Sequence, residues 1–287
     1  MNAQPWRVLF TGKQRGAFNM AVDAAILKAV EERRSPPTLR IYGWEPFCVS
    51  LGYFQKVDQE LDPVALEERG WDFVLRPTGG RAVLHAEEIT YSLIARRDEA
   101  DWCGTLKDSF DRISRAWAVA LGDFNLDLSK GRPVGATRES PLQVGLPCFA
   151  STSRSELAHG ERKVVGSAQR RTRDAFLQHG SIPLTSQHER LMEVLPLSEE
   201  EKRDYLDALR AHAISLGEIG SRPLENIETW SQKLAISLLE ALKVPGEIGE
   251  LTRAEALMAQ ELEKDHHARQ EGFLKHAQIA SNTPAKS

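Results

Sequence analysis

The chain is poor in cysteine. It has three in 287 residues, Cys48, Cys103 and Cys148, and they lie far apart. An odd count without close pairs argues against a disulfide framework and against a zinc cage. It implies a reducing compartment, the cytosol. No run approaches 18 consecutive apolar residues, so no membrane-spanning helix is expected. The opening stretch MNAQPWRVLFTGKQRG carries no long apolar segment of the kind a secretory signal needs. Neither charge sign dominates. The formal net charge is -4 and the pI about 6.1, which excludes a general nucleic-acid binder. Repeats, low-complexity tracts and metal-ligand spacings are all lacking. What is there is ordinary for a globular protein, with 41% apolar and 27% charged residues. The length permits one large domain, or one domain with an appendage.

The apolar periodicity predicts a helix over 18–33, where Met20, Ala24, Leu27 and Val30 recur and Pro36-Pro37 ends the run. TLRIYGW (38–44) and FCVSLGYF (47–54) read as strands separated by a Glu45-Pro46 turn. A short helix over 64–70 ends at Gly70. ITYSLIA (89–95) is a further strand, rich in β-branched and aromatic residues. Residues 105–122 form the clearest amphipathic helix, with Leu106, Phe110, Ile113, Trp117 and Leu121 on one core-facing stripe. Residues 129–149 are broken by glycine and proline and read as a long loop, a common site of function. Residues 153–171 read as strand, Gly160 turn and strand, 175–184 as another strand, and 225–242 as a helix. A charged helix follows, and the last residues, IASNTPAKS, read as disordered. The order of elements predicts an α+β fold with a mainly antiparallel sheet flanked by helices.

The most informative stretch is RPTGGRAVLHAEEITYS (76–92). The Gly79-Gly80 pair lies between the apolar runs DFVL and RAVLH. Arg76 and Arg81 flank it and His85 closes it. Two readings are open. One is a β-hairpin with a Gly-Gly turn and two solvated arginines. The other is a grip for an anion, with cations beside exposed N–H groups. The chemistry elsewhere centres on Cys148, in the loop sequence QVGLPCFAS, and on Lys163, in ERKVVGSAQ. A loop cysteine is reactive only where something lowers its pKa from about 8.5, and a neighbouring ammonium does that. Against this stands the plain alternative of a small loop hydrophobe and an exposed strand lysine. Cys48, between Phe47 and Val49, reads as core. His85 and His179 read as packing or hydrogen-bonding residues, and His266 and His267 as solvated.

RPTGGRAVLH, the KVVGSA stretch (Lys163, Gly166, Ala168), QHGSIPL (178–184) and the opening FNMAVDAAIL occur in an order and spacing that resemble the biotin/lipoate protein ligase and octanoyltransferase superfamily. The resemblance covers roughly residues 5–245. It implies the catalytic-domain fold of that superfamily, like that of class II synthetases, over 1–245, with a C-terminal charged helix and tail over 246–287. A cysteine upstream of the lysine motif is similar to the LipM-type octanoyltransferases. The resemblance therefore implies octanoyl transfer from acyl carrier protein to a lysine of a lipoyl-domain protein. The acceptors it implies are the glycine-cleavage H protein first and the acyltransferase subunits of 2-oxoacid dehydrogenases next. Cys148 and Lys163 would be catalytic, and Arg76, Gly79, Gly80, Arg81, His85, Gly166 and Ala168 would bind substrate. Neither ATP nor any other cofactor is expected. The alternatives on the same scaffold are an ATP-dependent lipoate–protein ligase, an amidotransferase between lipoyl-domain proteins, and an inert binding module. One departure stands out. Many members have Asp after the motif histidine, whereas this chain has Ala86 followed by Glu87 and Glu88.

Overall fold

In a computed structural model, residues 4–99, 101–122, 129–130, 157–220 and 226–281 are described, 129–130 and 276–281 by backbone alone. Two sheets and their helices make an α+β architecture. The larger sheet runs in the order β11-β1-β2-β6-β10-β9-β8-β7. Its members are β1 (Trp6–Gln14), β2 (Thr38–Trp44), β6 (Glu88–Arg96), β7 (Ser129–Lys130), β8 (Leu157–His159), β9 (Arg162–Arg171), β10 (Ala175–Pro183) and β11 (Gly246–Ile248). β1 runs parallel to β2 and to β11, and the other pairings of this sheet are antiparallel.

The two faces of this sheet follow from the period-2 alternation of its strands. Leu39 and Ile41 of β2 and Tyr91, Leu93 and Ala95 of β6 point to one side. There they meet Trp117 and Leu121 of α4 (Leu106–Gly122) and Leu234 and Leu238 of α7 (Ile227–Leu242). The opposite face receives α1 (Gly16–Glu31), whose Ala21, Val22, Ala25 and Ile26 pack on Leu9, Ile94 and Leu177. The stripe predicted for 105–122 is core on its inner positions, Ile113, Trp117 and Leu121, whereas Leu106 is 49% exposed at the helix start. α8 (Arg253–Ser281) lies outside α1, which it reaches through Ala259. It continues through Ser281, into the stretch expected to be disordered.

The smaller sheet has the order β4-β3-β5, from β3 (Cys48–Leu51), β4 (Asp72–Leu75) and β5 (Val83–His85). This corrects the hairpin reading of the glycine motif. β4 and β5 do not pair with each other. β3 lies between them, parallel to β4 and antiparallel to β5, so residues 76–82 cross over the end of β3. The physical reason is burial: Cys48, Val49, Ser50 and Leu51 are all within 1% of fully enclosed, and so apolar a strand takes the middle place. Cys48 is core, as its neighbours predicted.

α3 (Pro63–Arg69) starts at Asp62, whose carboxylate accepts the Val64 and Ala65 N–H groups, and ends at Gly70 in the left-handed region (φ 62°). Further elements without a clear sequence signal also form: β1, α2 (Val57–Glu60), a 3-10 helix (Ser186–Val194), α5 (Glu199–His212), α6 (Leu216–Ile219) and β11. α5 opens with a reciprocal Ser198/Glu201 capping box.

One buried ion pair joins the two ends of the described chain. Arg7 on β1 donates to both carboxylate oxygens of Glu255 on α8 at 2.7 Å, and Glu255 is 1% exposed. Removing one partner of such a pair strands the other charge. Glu255→Ala is expected to lower unfolding free energy by about 3–5 kcal/mol, read as a shift of the urea midpoint. The double variant Arg7→Met/Glu255→Ala should lose less than the single one.

Candidate functional site

The small sheet packs across the α1 side of the large one, and a narrow cavity of about 40 Å³ remains between them. Its walls follow from strand alternation. Tyr42 and Trp44 of β2, Thr90 of β6 and His179 and Ser181 of β10 come from the large sheet. Ser50 of β3 and Val83 and His85 of β5 come from the small one, with Arg76 from the crossing loop, Met20 from α1 and Gly166, Ser167 and Ala168 from β9. No Cβ fits at Gly180, because it would fall on the Tyr91 ring, the Gly166 carbonyl and the Ser167 hydroxyl. β9 and β10 meet closely there because residue 180 has no side chain.

Arg76 is buried, at 5% exposure. A guanidinium has five N–H donors, and all five point inward. Nε and Nη2 reach the Gly79 carbonyl (3.3 and 3.1 Å), Nη2 also reaches the Arg81 carbonyl (2.7 Å), and Nη1 reaches the Ser50 carbonyl and hydroxyl (2.8 and 3.0 Å). Arg76 is thus neither solvated nor an open anion grip. It shapes the loop that carries Gly79 and Gly80. Gly80 adopts φ 101°, and its carbonyl lies where a Cβ of Gly52 would be, so both positions require glycine. Gly79 and Gly80 are exposed and Arg81 is half-buried.

From Arg76 a directional chain of hydrogen bonds runs inward. The Ser50 hydroxyl, which accepts from Arg76, lies 2.7 Å from His85 Nε2, and His85 Nδ1 lies 2.7 Å from Glu88. A carboxylate only accepts, so His85 donates from Nδ1 to Glu88, and its Nε2 shares a hydrogen bond with the Ser50 hydroxyl. The imidazole also stacks on Trp44, with ring centroids 4.1 Å apart at 14°. Glu88 accepts further from Thr90 and Ser181. Position 86, where the resemblance leads one to expect aspartate, holds a buried alanine. The carboxylate beside His85 is that of Glu88, three residues on.

A second chain mirrors the first. Thr78 Oγ1, in the same loop, lies 2.7 Å from His179 Nε2, and His179 Nδ1 lies 3.8 Å from Asp23. Asp23 on α1 is fully buried and accepts from Arg40 (2.8 Å), Tyr42 (3.0 Å) and Ser92 (2.8 Å). Burial works to raise the Asp23 carboxyl, but the charge and hydrogen bond of Arg40, with the nearby His179, hold it below the usual carboxylate range. Burial likewise opposes Glu88, which His85, Ser181 and Thr90 hold below that range. The His179 imidazole is pushed below its ordinary value by burial, partly offset by Asp23. Burial pushes the Cys48 thiol well up, which fits a core residue and not a nucleophile.

Of the residues singled out from sequence, the cavity gathers Arg76, His85, Gly166 and Ala168. Gly79, Gly80 and Arg81 belong to the adjoining loop. Lys163 precedes Gly166 by three residues on β9 and is buried at 1%, not exposed; its carbonyl accepts the Ile214 N–H at 3.0 Å. Cys148, with the irregular segment around it, lies outside the described residues. His266 and His267 are half-buried on α8 rather than solvated. Sequence reasoning missed Ser50, Thr78, Glu88, Asp23 and Met20. A signal existed for Asp23: Asn19 and Asp23 stand four apart on the buried face of α1, and polar pairs on such a face need partners. None of the described helices is long and apolar enough to cross a membrane.

The chain matches the model of the lipoyl protein ligase A/B catalytic domain over residues 15–238. It is therefore a member of that family of acyl-handling catalytic domains. Within the family it belongs with the transferases. It is 41% identical to octanoyltransferase LipM of Kyrpidia tusciae over 90% of this chain and 95% of that one. It is 39% identical to octanoyltransferase LipM of Moorella thermoacetica over 90% and 97%. The fold is similar to that of a bipartite lipoate protein ligase from Thermoplasma acidophilum (TM-score 0.73, 21% identity, 91% of this chain and 93% of that one). It is also similar to that of a lipoate-protein ligase A bound with ATP (TM-score 0.71, 21% identity, 91% and 95%).

The buried titratable groups set a pH response. A histidine depressed in the native state binds fewer protons than in the unfolded chain, so stability is expected to fall as pH drops below about 6.5. A depressed carboxylate contributes stability above its unfolded value, and that stability is lost as pH falls through the native one. Asp23 and Glu88 should therefore produce a second decline below about 4. Urea midpoints at pH 7.5, 5.5 and 3.5 check both stages. His179→Asn should flatten the first stage only in part, because burial also depresses His188 and His266.

Proposed function

We propose that this enzyme transfers an octanoyl group from acyl carrier protein to a lysine of a lipoyl-domain protein, through a thioester on Cys148. The supporting observation is the cavity itself. It is walled by Trp44, Tyr42, Met20 and Val83, is bordered by the KVVGSA strand, and occurs in a chain 41% identical to an octanoyltransferase. An eight-carbon tail gains about 0.8 kcal/mol per buried methylene before ordering costs, and this cavity is the apolar slot for it.

In the first half-reaction the Cys148 thiolate attacks the carrier thioester carbonyl. The new carbon–sulfur bond forms and the carrier's sulfur leaves with the proton it needs. In the second, the acceptor lysine amine attacks the Cys148 thioester, the amide forms, and the cysteine sulfur leaves. Lys163 serves both halves: as a cation it favours the Cys148 thiolate and gives its proton to the departing carrier sulfur, and, now neutral, it takes the proton the incoming amine must shed. Thioester exchange is near balance and amide formation drives the sequence forward. The donor arrives already activated, so ATP has no part to play. Backbone N–H groups of the Gly79-Gly80 loop or beside Lys163 are the candidate oxyanion donors. Arg81 is the candidate contact for the phosphate of the carrier's arm. The acceptors of choice are the glycine-cleavage H protein and then the acyltransferase subunits of 2-oxoacid dehydrogenases. We place the reaction in the cytosol and assign catalysis to residues 1–245, with the C-terminal charged helix and tail, 246–287, as an appendage.

Octanoyl carrier protein and an apo lipoyl domain, mixed with the enzyme with and without ATP, test this. Transfer is expected without ATP, with an octanoyl adduct on Cys148 by intact mass. Cys148→Ser and Lys163→Met are each expected to lower turnover at least a thousandfold. Transfer with no adduct, or strict dependence on ATP and free lipoate, overturns the scheme.

A further inference from the structure

The geometry points to Met20 as the residue that sets acyl-chain length, a claim that rests on the cavity being the acyl slot. Exposure grades across the cavity. Gly166, Ser167 and Ala168 on β9 are half-buried and mark its mouth, whereas Trp44, Ser50, Met20 and Thr90 are each 2% exposed or less and mark its floor. The floor is rigid except at one place. The Tyr42 hydroxyl is tied to Asp23 at 3.0 Å. Trp44 is tied to Thr90 at 2.7 Å through its indole N–H and is stacked on His85. Met20 has no polar tie. Its neighbours in the core are Tyr42, Trp44, Cys48 and Val74, so soft apolar side chains lie behind it. Methionine is unbranched, with three rotatable side-chain bonds, and fills irregular space. The floor thus ends on one adaptable thioether held among fixed aromatic rings. A straight aliphatic chain entering at β9 meets that side chain last. Shortening residue 20 lengthens the slot, and filling it shortens the slot, without touching the polar groups that hold the loop.

The test is a competition among hexanoyl, octanoyl, decanoyl and dodecanoyl carrier proteins, with the acylated lipoyl domain read by mass. One methylene in an apolar pocket changes selectivity by about 10–200-fold. Met20→Ala is expected to raise the decanoyl-to-octanoyl ratio of kcat/KM at least tenfold, and Met20→Phe to raise the hexanoyl-to-octanoyl ratio by a similar factor. Met20→Leu, close in volume, should leave the octanoyl preference in place. Should Met20→Ala fail to fold, Met20→Val carries the same expectation with a smaller shift. Variants that lose activity in equal proportion at every chain length overturn the proposal. Ala168→Trp, which plugs the mouth, separates the two levels of the argument. If it leaves octanoyl transfer unchanged, the cavity is not the acyl slot and the parent reading fails. If it abolishes transfer while the Met20 variants keep their ratios, only the gauge fails.

Discussion

The site depends on one buried guanidinium. Arg76 cannot shed its charge at any pH a protein experiences, so enclosing it demands a full set of acceptors. The chain meets that demand with three carbonyls and a hydroxyl from two separate segments, the end of β3 and the loop that crosses it. A path for residues 76–82 that withdrew the Gly79 and Arg81 carbonyls would forfeit the hydrogen bonds they accept from Arg76. The loop conformation is therefore over-determined, and so is the position of everything attached to it: Thr78 on one side, Gly79 and Gly80 at the rim, and β5 with His85 beyond.

The two imidazoles extend that constraint into the core. Each stands between a hydroxyl and a carboxylate buried under the large sheet, and the two carboxylates come from elements distant in sequence, α1 and β6. A network of this kind is costly if any member is missing and rigid when all are present. Its position around an otherwise apolar cavity makes chemical sense. A slot for an aliphatic chain has no polar handle of its own to fix its walls. The fixing is done by hydrogen bonds among the side chains that wall it and the carboxylates behind them.

Much of this was legible in the amino-acid sequence because it is local. The helix ended by Gly70, the amphipathic stripe around Trp117 and the core character of Cys48 each follow from a few neighbouring residues. The motifs around Gly79-Gly80 and Lys163 marked the correct family, and Gly166, Ala168, Arg76 and His85 do border one cavity. What was not legible is non-local. Two apolar runs joined by a glycine pair read as a hairpin, and nothing within them shows that β3, twenty residues earlier, takes the place between them. The fate of Arg76 follows from that same pairing, since its acceptors on Ser50 exist only when β3 is central. Glu88 stood in plain view beside the missing aspartate. Its reach back to His85 depends on how the chain bends between β5 and β6, which residue type alone does not specify. β1 escaped notice because its apolar residues, Trp6, Val8, Leu9 and Phe10, do not alternate.

β1 is also the strand whose neighbour on one side is supplied by residues 246–248. During synthesis the N-terminal strand is made first, and β2, its other neighbour, follows within some thirty residues. The free edge of β1 then waits until nearly the whole sequence has left the ribosome. For that interval the nascent sheet presents an open ladder of backbone donors and acceptors, the feature that invites pairing with foreign strands. The short β11, followed by the helix that delivers Glu255 to Arg7, acts as a late closure of that edge. A chain truncated before Gly246 would retain the cavity's lining residues and yet emerge with its most association-prone border uncovered.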